Sequence, residues 1–180
     1  MKIEYSVCLV LLLAGCISPH VTGPAAQGVN LRQFKTVKLV VDDSVNTDDS
    51  QAGVPMFEGL LKGRLKSMGY APVETNAEMV QTVNIHEFTQ GSRTLRMLVG
   101  LGAGRALLKY TATFRDGNGS LLGELEGGKE YHGMELADSP TFKSNESMEM
   151  GLVSYSVSQV VHFIQTNGGS NGQQLGRAGL

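Results

Sequence analysis

The tightest constraint on how this chain can fold is a pair of alternating runs joined by a glycine turn. Leu108, Tyr110, Ala112 and Phe114 alternate with Lys109, Thr111, Thr113 and Arg115, the period-two pattern of a strand that buries one face. Asp116-Gly117-Asn118-Gly119 supplies turn residues, and "SLLGELEGGKEY" returns as the second strand of a hairpin.

Other elements fall around that hairpin. "FKTVKLVVDD" reads as a strand with Val37, Leu39 and Val41 on one face, and the polar run "DDSVNTDDSQAG" after it reads as a loop. Phe57, Leu60, Leu61, Leu65 and Met68 recur at helical spacing, with Gly69 placed to end the helix in the left-handed conformation. "YAPVE" is short and extended, and "MVQTVNIHEF" alternates as a further strand. Met150, Val153, Val157, Val160 and Ile164 are spaced 3-4-3-4, a buried stripe on a helix over roughly 146–165. The order strand-helix-strands-helix predicts an α+β domain, a mainly antiparallel sheet with two helices packed on one face. No internal repeat is evident. One domain over 34–166 is expected, followed by a disordered, glycine-rich tail over 167–180.

The start of the chain has a different character. "MKIEYSVCLVLLLAGC" places Lys2 in a short polar start, then an apolar run from Val7 to Leu13 that is too short to span a bilayer, then small residues before a cysteine. Residues 1–15 read as a secretory signal, and Leu13-Ala14-Gly15-Cys16 resembles the bacterial lipobox. In proteins carrying that motif, the cysteine sulfur receives a diacylglyceryl group, the signal is cut before it and the new N-terminus is acylated. Cys8 would leave with the signal and Cys16 would be acylated, so no thiol remains for a disulfide. Several acyl chains, at about 0.8 kcal/mol per buried CH₂, suffice for stable anchoring. Residues 16–33, with Pro19, Gly23, Pro24 and Gly28 and no periodicity, read as a lipidated tether of roughly 20–25 Å.

Candidate sites are few. In "GLGAG", Gly100, Gly102 and Gly104 are spaced G-x-G-x-G, Arg105 stands where a dinucleotide fingerprint needs its third glycine, and a strand follows where that fingerprint needs a helix. Gly128-Lys129-Glu130 fails the last position of a phosphate loop. The glycines of "GLGAG" are therefore expected to serve positive φ or close backbone approach. An interaction role is the alternative, because Leu98 and Leu101 lie in an uncharged run from Met97 to Gly104, flanked by Arg93, Arg96 and Arg105. Such a patch suits lipid headgroups or a neighbouring subunit.

A calcium loop starting at Asp43 in "DDSVNTDDS" would need Gly and Glu where the chain has Asp48 and Val54, and the run reads as a solvated acidic loop. His20, His86, His132 and His162 have no His or Cys at metal-ligand spacing, so no metal is expected. Glu124, Glu126 and Glu130 read as the acidic solvent face of a strand. No nucleophile elbow is present, so neither catalytic residues nor a cofactor is expected. A net charge of -2 carries no basic footprint for nucleic acid.

The lipobox, "VKLVVDD", "LLKGRLKSMGY" and above all "GSRTLRMLVGLGAGRALLKYTATFRDGNGSLLGE" resemble a family of bacterial envelope lipoproteins known as domain of unknown function 4410. Its pattern of G-[ST]-R, a second Arg, G-x-G-x-G, an alternating strand ending in Asp and a following Gly falls here on Gly91-Ser92-Arg93, Arg96, Gly100 to Gly104, Asp116 and Gly119. The resemblance implies the anchor and the fold, and it implies no activity.

The functional expectation is a non-enzymatic lipoprotein facing the periplasm from a Gram-negative envelope. It would be held to the membrane through Cys16 and act through an envelope protein or through self-association. Ile17 after the cysteine, rather than the Asp that retains such proteins at the inner membrane, favours the outer membrane. The alternatives are a subunit of an oligomeric assembly or secretion complex, by analogy of fold order with the curli secretion lipoprotein, and an unrecognised hydrolase.

Overall fold

A computed structural model describes residues 29–92, 104–131 and 145–167. A 3-10 turn (Leu31–Gln33) leads into β1 (Thr36–Asp43), α1 (Asp48–Ser67), the two-residue β2 (Ala71–Pro72), β3 (Met79–Thr89), β4 (Ala106–Asp116), β5 (Leu121–Tyr131) and α2 (Asn145–Thr166). The stretch read as a signal, Cys16, and most of the stretches read as tether and tail lie outside the described residues. Among the described residues no helix is long and apolar enough to cross a membrane.

The fold is α+β with two helices, but the expected mainly antiparallel sheet is mixed. Its order is β2-β1-β3-β4-β5. β1 runs parallel to both β2 and β3, while β3, β4 and β5 form an antiparallel meander. The cause is α1. A helix between two strands returns the chain to the end where the first strand began, so the next strand runs the same way. Alternation marks which residues face the core and is silent on strand direction.

α1 also begins earlier than its apolar spacing predicts, so the run read as a loop after β1 is partly helix. Thr47 Oγ1 accepts the Ser50 N–H and Ser50 Oγ accepts the Thr47 N–H, a capping box that starts the helix at Asp48. Asp43 Oδ2 accepts from Ser50 Oγ at 2.6 Å, and Asp43 Oδ1 accepts the N–H groups of Val45 and Asn46. At the other end Gly69 has φ +91°, as its place after the helix predicts.

Apolar residues of both helices and of one sheet face make a single core. Phe57, Leu61 and Leu65 from α1 and Val153, Val157, Val160 and Ile164 from α2 are fully or nearly fully buried over Val83, Leu108, Tyr110, Ala112 and Phe114. Phe57 meets Tyr110 edge-on at 5.6 Å and Phe114 stacks on Phe163 at 5.3 Å. Leu60 (36% exposed) and Met150 (47% exposed) fall at the rims of their stripes rather than inside. Met148, Leu152 and Phe163 are buried in addition, which makes the α2 face broader than one heptad seam. Packing reaches back into the stretch read as tether, because Leu31 is wholly buried and Val29 packs against the core.

Strand directions give the domain two ends. β1 and β3 start, and β4, α1 and α2 finish, at the end holding Leu31, Tyr70 and the β4–β5 turn. The opposite end carries the start of α1, the finish of β3, the start of β4 and the start of α2.

Candidate functional site

Cys16, Arg93, Arg96, Leu98, Gly100, Leu101 and Gly102 lie outside the described residues, as do His20 and His132. Gly104 and Arg105 are described, and they show how the connection from β3 to β4 is closed at its base. Gly91 and Gly104 both have φ +68°, and the Ser92 N–H donates to the Gly104 carbonyl at 3.2 Å. A Cβ on Gly91 would run into the carbonyls of Gly104 and Arg105, so two backbones pass where no side chain fits. Thr89 Oγ1 accepts the Gly91 N–H at 3.1 Å and steadies the approach. The first glycine of the G-[ST]-R motif and the last of G-x-G-x-G are thus neighbours in space.

Arg105 turns onto the sheet, its guanidinium 3.0 Å from Glu130 on β5, and Lys109 pairs with Glu87 at the same distance. Both pairs are at least partly exposed, and each is worth about 1 kcal/mol or less in water. The three strand glutamates therefore divide. Glu130 takes part in an ion pair, and Glu124 and Glu126 stay on the open face of the sheet.

Beside these pairs, Gly127 and Gly128 leave a notch in β5, the last strand of the sheet. A cleft of about 350 Å³ opens there, lined by Lys109, Glu126, Glu130 and the α2 residue Gln159 among others. Gln159 Oε1 accepts the Gly128 N–H at 3.1 Å and the Tyr110 hydroxyl at 3.2 Å, and Tyr110 also donates to the Ser156 carbonyl at 3.0 Å. Burial, with a smaller contribution from Tyr155, pushes the Tyr110 phenol well above the usual tyrosine range, so it stays a neutral donor. The Lys129 ammonium lies 5.0 Å from the Tyr131 ring and 5.2 Å from the Tyr155 ring on the helix side.

A second polar group ties α1, β3 and α2 together next to the Gly91–Gly104 crossing. Asp49 Oδ2 accepts from Thr89 Oγ1 and the Gln90 N–H, and Gln90 Nε2 donates to Glu149 Oε2 at 2.8 Å. Glu149 is 5% exposed. Sequence reasoning missed Asp49, Gln90, Glu149 and Gln159. Glu149 stands next to Met148 and Gln159 next to Val160, and a polar residue beside a buried stripe was the signal present.

His86 Nε2 lies 2.7 Å from Thr111 Oγ1 on the open face, and the ring is exposed. A hydroxyl–imidazole pair acts as nucleophile and base only when a third group orients the ring, and among the described residues no hydrogen bond to its other nitrogen is found. The acidic run after β1 spends Asp43 on a turn and a helix cap. Among the described residues no group of three or more His, Cys, Asp or Glu is placed to hold a metal ion.

The architecture is shared with solved structures. The PelC dodecamer from Paraburkholderia phytofirmans superimposes with a TM-score of 0.51 at 14% identity, covering 78% of this chain and 96% of that one. A single-substitution variant of that dodecamer gives 0.50 at 15% identity over 78% and 95%. A DUF4136 family protein from Bacteroides thetaiotaomicron gives 0.44 at 10% identity over 81% and 97%. At these identities the likeness is one of fold. No curated protein matches the chain. The model of the family described as Domain of unknown function (DUF4410) matches residues 45–134, from the turn before α1 to just past β5, and the chain belongs to that family.

Proposed function

We propose that the protein is a lipid-anchored lipoprotein facing the periplasm, in the outer membrane of a Gram-negative envelope, and that it acts through protein contacts rather than catalysis. The observation that carries this reading is the lipobox-like Leu13-Ala14-Gly15-Cys16, followed within a short unpatterned stretch by a domain whose packing starts at Val29. Ile17 favours the outer membrane. Cys16→Ala should release a folded domain from membranes, and fractionation with radiolabelled palmitate tests this. A wild-type chain that carries no label sinks the reading.

A second reading, a subunit of an oligomeric outer-membrane assembly, draws support from the PelC dodecamer and from β5. Over its 11 residues, β5 meets no strand beyond β4 among the described residues. Long edge strands are templates for pairing with another chain. Native mass of the detergent-solubilised protein decides between a monomer and a ring. A hydrolase with an unrecognised site ranks last, and turnover of a panel of envelope esters and peptides would revive it.

A further inference from the structure

We infer that the domain stands on the bilayer with its Leu31–Tyr70 end down, presenting the Gly91–Gly104 end away from the lipid. The inference rests on the anchored reading above and adds an orientation to it. Two independent observations carry it, where the chain enters the domain and how charge is distributed along it.

Entry is at one end. The Leu31 N–H donates to the Asn167 carbonyl beyond α2 at 3.1 Å, and the Tyr70 hydroxyl donates to the Leu31 carbonyl at 3.0 Å. Leu31 is wholly buried, so the described chain is pinned where α1 and α2 finish. The residues from Cys16 to Val29 span about 20 Å as a coil and about 45 Å fully drawn out. Strands of 11 residues put the two ends of the sheet about 35 Å apart. Bringing the Gly91–Gly104 end to the lipid would need the connecting chain to run nearly taut along the whole domain.

Charge follows the same axis. Among the described residues at the entry end, Arg32, Lys35, Arg64, Lys66 and Arg115 are exposed, and with Lys62 they outnumber Glu74, Glu78 and Asp116. Among the described residues at the far end, Asp42, Asp43, Asp48 and Asp49 crowd the step from β1 to α1, while Arg105 and Lys109 are engaged by Glu130 and Glu87 and Lys129 lies over the Tyr131 and Tyr155 rings. An anionic phospholipid surface attracts the first end and repels the second. The charges on α1 also complement its own dipole, but Arg32, Lys35 and Arg115 lie off that helix.

The test compares two exposed sites on one helix. Ser67→Cys and Gln51→Cys, about 24 Å apart along α1, each take a thiol dye in the acylated full chain on vesicles carrying a headgroup-linked acceptor. Energy transfer should be several-fold stronger from position 67, more so on phosphatidylglycerol than on phosphatidylcholine. Arg64→Glu with Lys66→Glu should remove the lipid dependence while the domain still unfolds cooperatively, at a somewhat lower temperature because the last turn of α1 loses charges that complement its dipole. Equal or reversed transfer overturns the orientation. A chain without acyl mass overturns the anchor instead. The same dye pair in a chain beginning at Ile17, which carries neither Cys8 nor Cys16, on phosphatidylglycerol then reads the charge preference alone, and it too must favour position 67 and fade with salt.

Discussion

The phenol of Tyr110 lies across Gly127, occupying the space that a side chain on the edge strand would take. A Cβ at Gly127 would sit within 3 Å of the Tyr110 ring and hydroxyl. The hydroxyl is held in place by Ser156 and Gln159, so the ring cannot give way without losing both bonds. Gly127→Ala should therefore lower stability by about 1–3 kcal/mol, the usual cost of overpacking. Urea midpoints would show it, and in a Tyr110→Leu background the same alanine should cost much less. Equal losses in both backgrounds would mean that the ring is not the obstacle.

Gln81 invites the opposite change. It is wholly buried on the core side of β3, between Leu39 on β1 and Phe114 on β4, and neither atom of its amide has a hydrogen-bond partner among the described residues. An unpaired buried amide costs about 1–3 kcal/mol. Gln81→Met keeps the volume and removes the polar atoms, so its urea midpoint should rise by an equivalent amount. A fall would show that the amide is satisfied in solution.

These two residues also mark how far the sequence could be read. The period-two runs in β3 and β4 and the stripe on α2 were legible because burial on one face leaves a periodic trace. Gln81 sits in phase with Met79 and Val83, so the pattern placed it inside while its chemistry argued against it. The start of α1 was hidden for a local reason. Gly53 and Pro55 look like loop residues, yet Gly53 makes room for the Phe88 ring and the capping box carries the helix through. Strand direction was not legible, since parallel β1 and β3 follow from a crossover rather than from any side chain. Of the candidate site, the glycines were visible as a motif. The meeting of Gly91 with Gly104 was not, because it joins two strand ends across a connection that carries no periodicity.

Acid should loosen the β1–α1 corner. Burial pushes the Asp43 carboxyl up, but hydrogen bonds from Ser50 and from the Asn46 and Val45 N–H groups outweigh it and hold the carboxyl below the usual aspartate range. A lowered folded value means that the ionised form stabilises the fold. Its contribution is complete above the pKa of the unfolded chain and is lost as pH falls through the folded one. Asp43→Asn should cost about 1–3 kcal/mol at neutral pH, as the bonds from Ser50, Val45 and Asn46 lose the charge of their acceptor. It should also flatten the stability profile across the acidic carboxylate range. Parallel profiles for the variant and the wild type would assign the acid sensitivity elsewhere, with Glu78 next, since the Lys35 and Thr36 N–H groups hold its carboxyl low as well.

The crossing at the base of the candidate site makes the sharpest comparison. Gly91 and Gly119 both have positive φ, +68° and +88°, so a side chain strains the backbone at either. They differ in surroundings. Around Gly119 a Cβ would find open space, whereas at Gly91 it would strike the carbonyls of Gly104 and Arg105. Gly119→Ala should then cost about 1 kcal/mol, the conformational strain alone. Gly91→Ala should cost clearly more, since it also parts Ser92 from the Gly104 carbonyl. Amide exchange localises the damage, because protection should fall at Ser92 in the first strand end and persist through the β4–β5 hairpin. Equal losses at Gly91 and Gly119 would mean that the two backbones stand farther apart in solution, and that this end of the sheet does not rely on glycine to hold the connection closed.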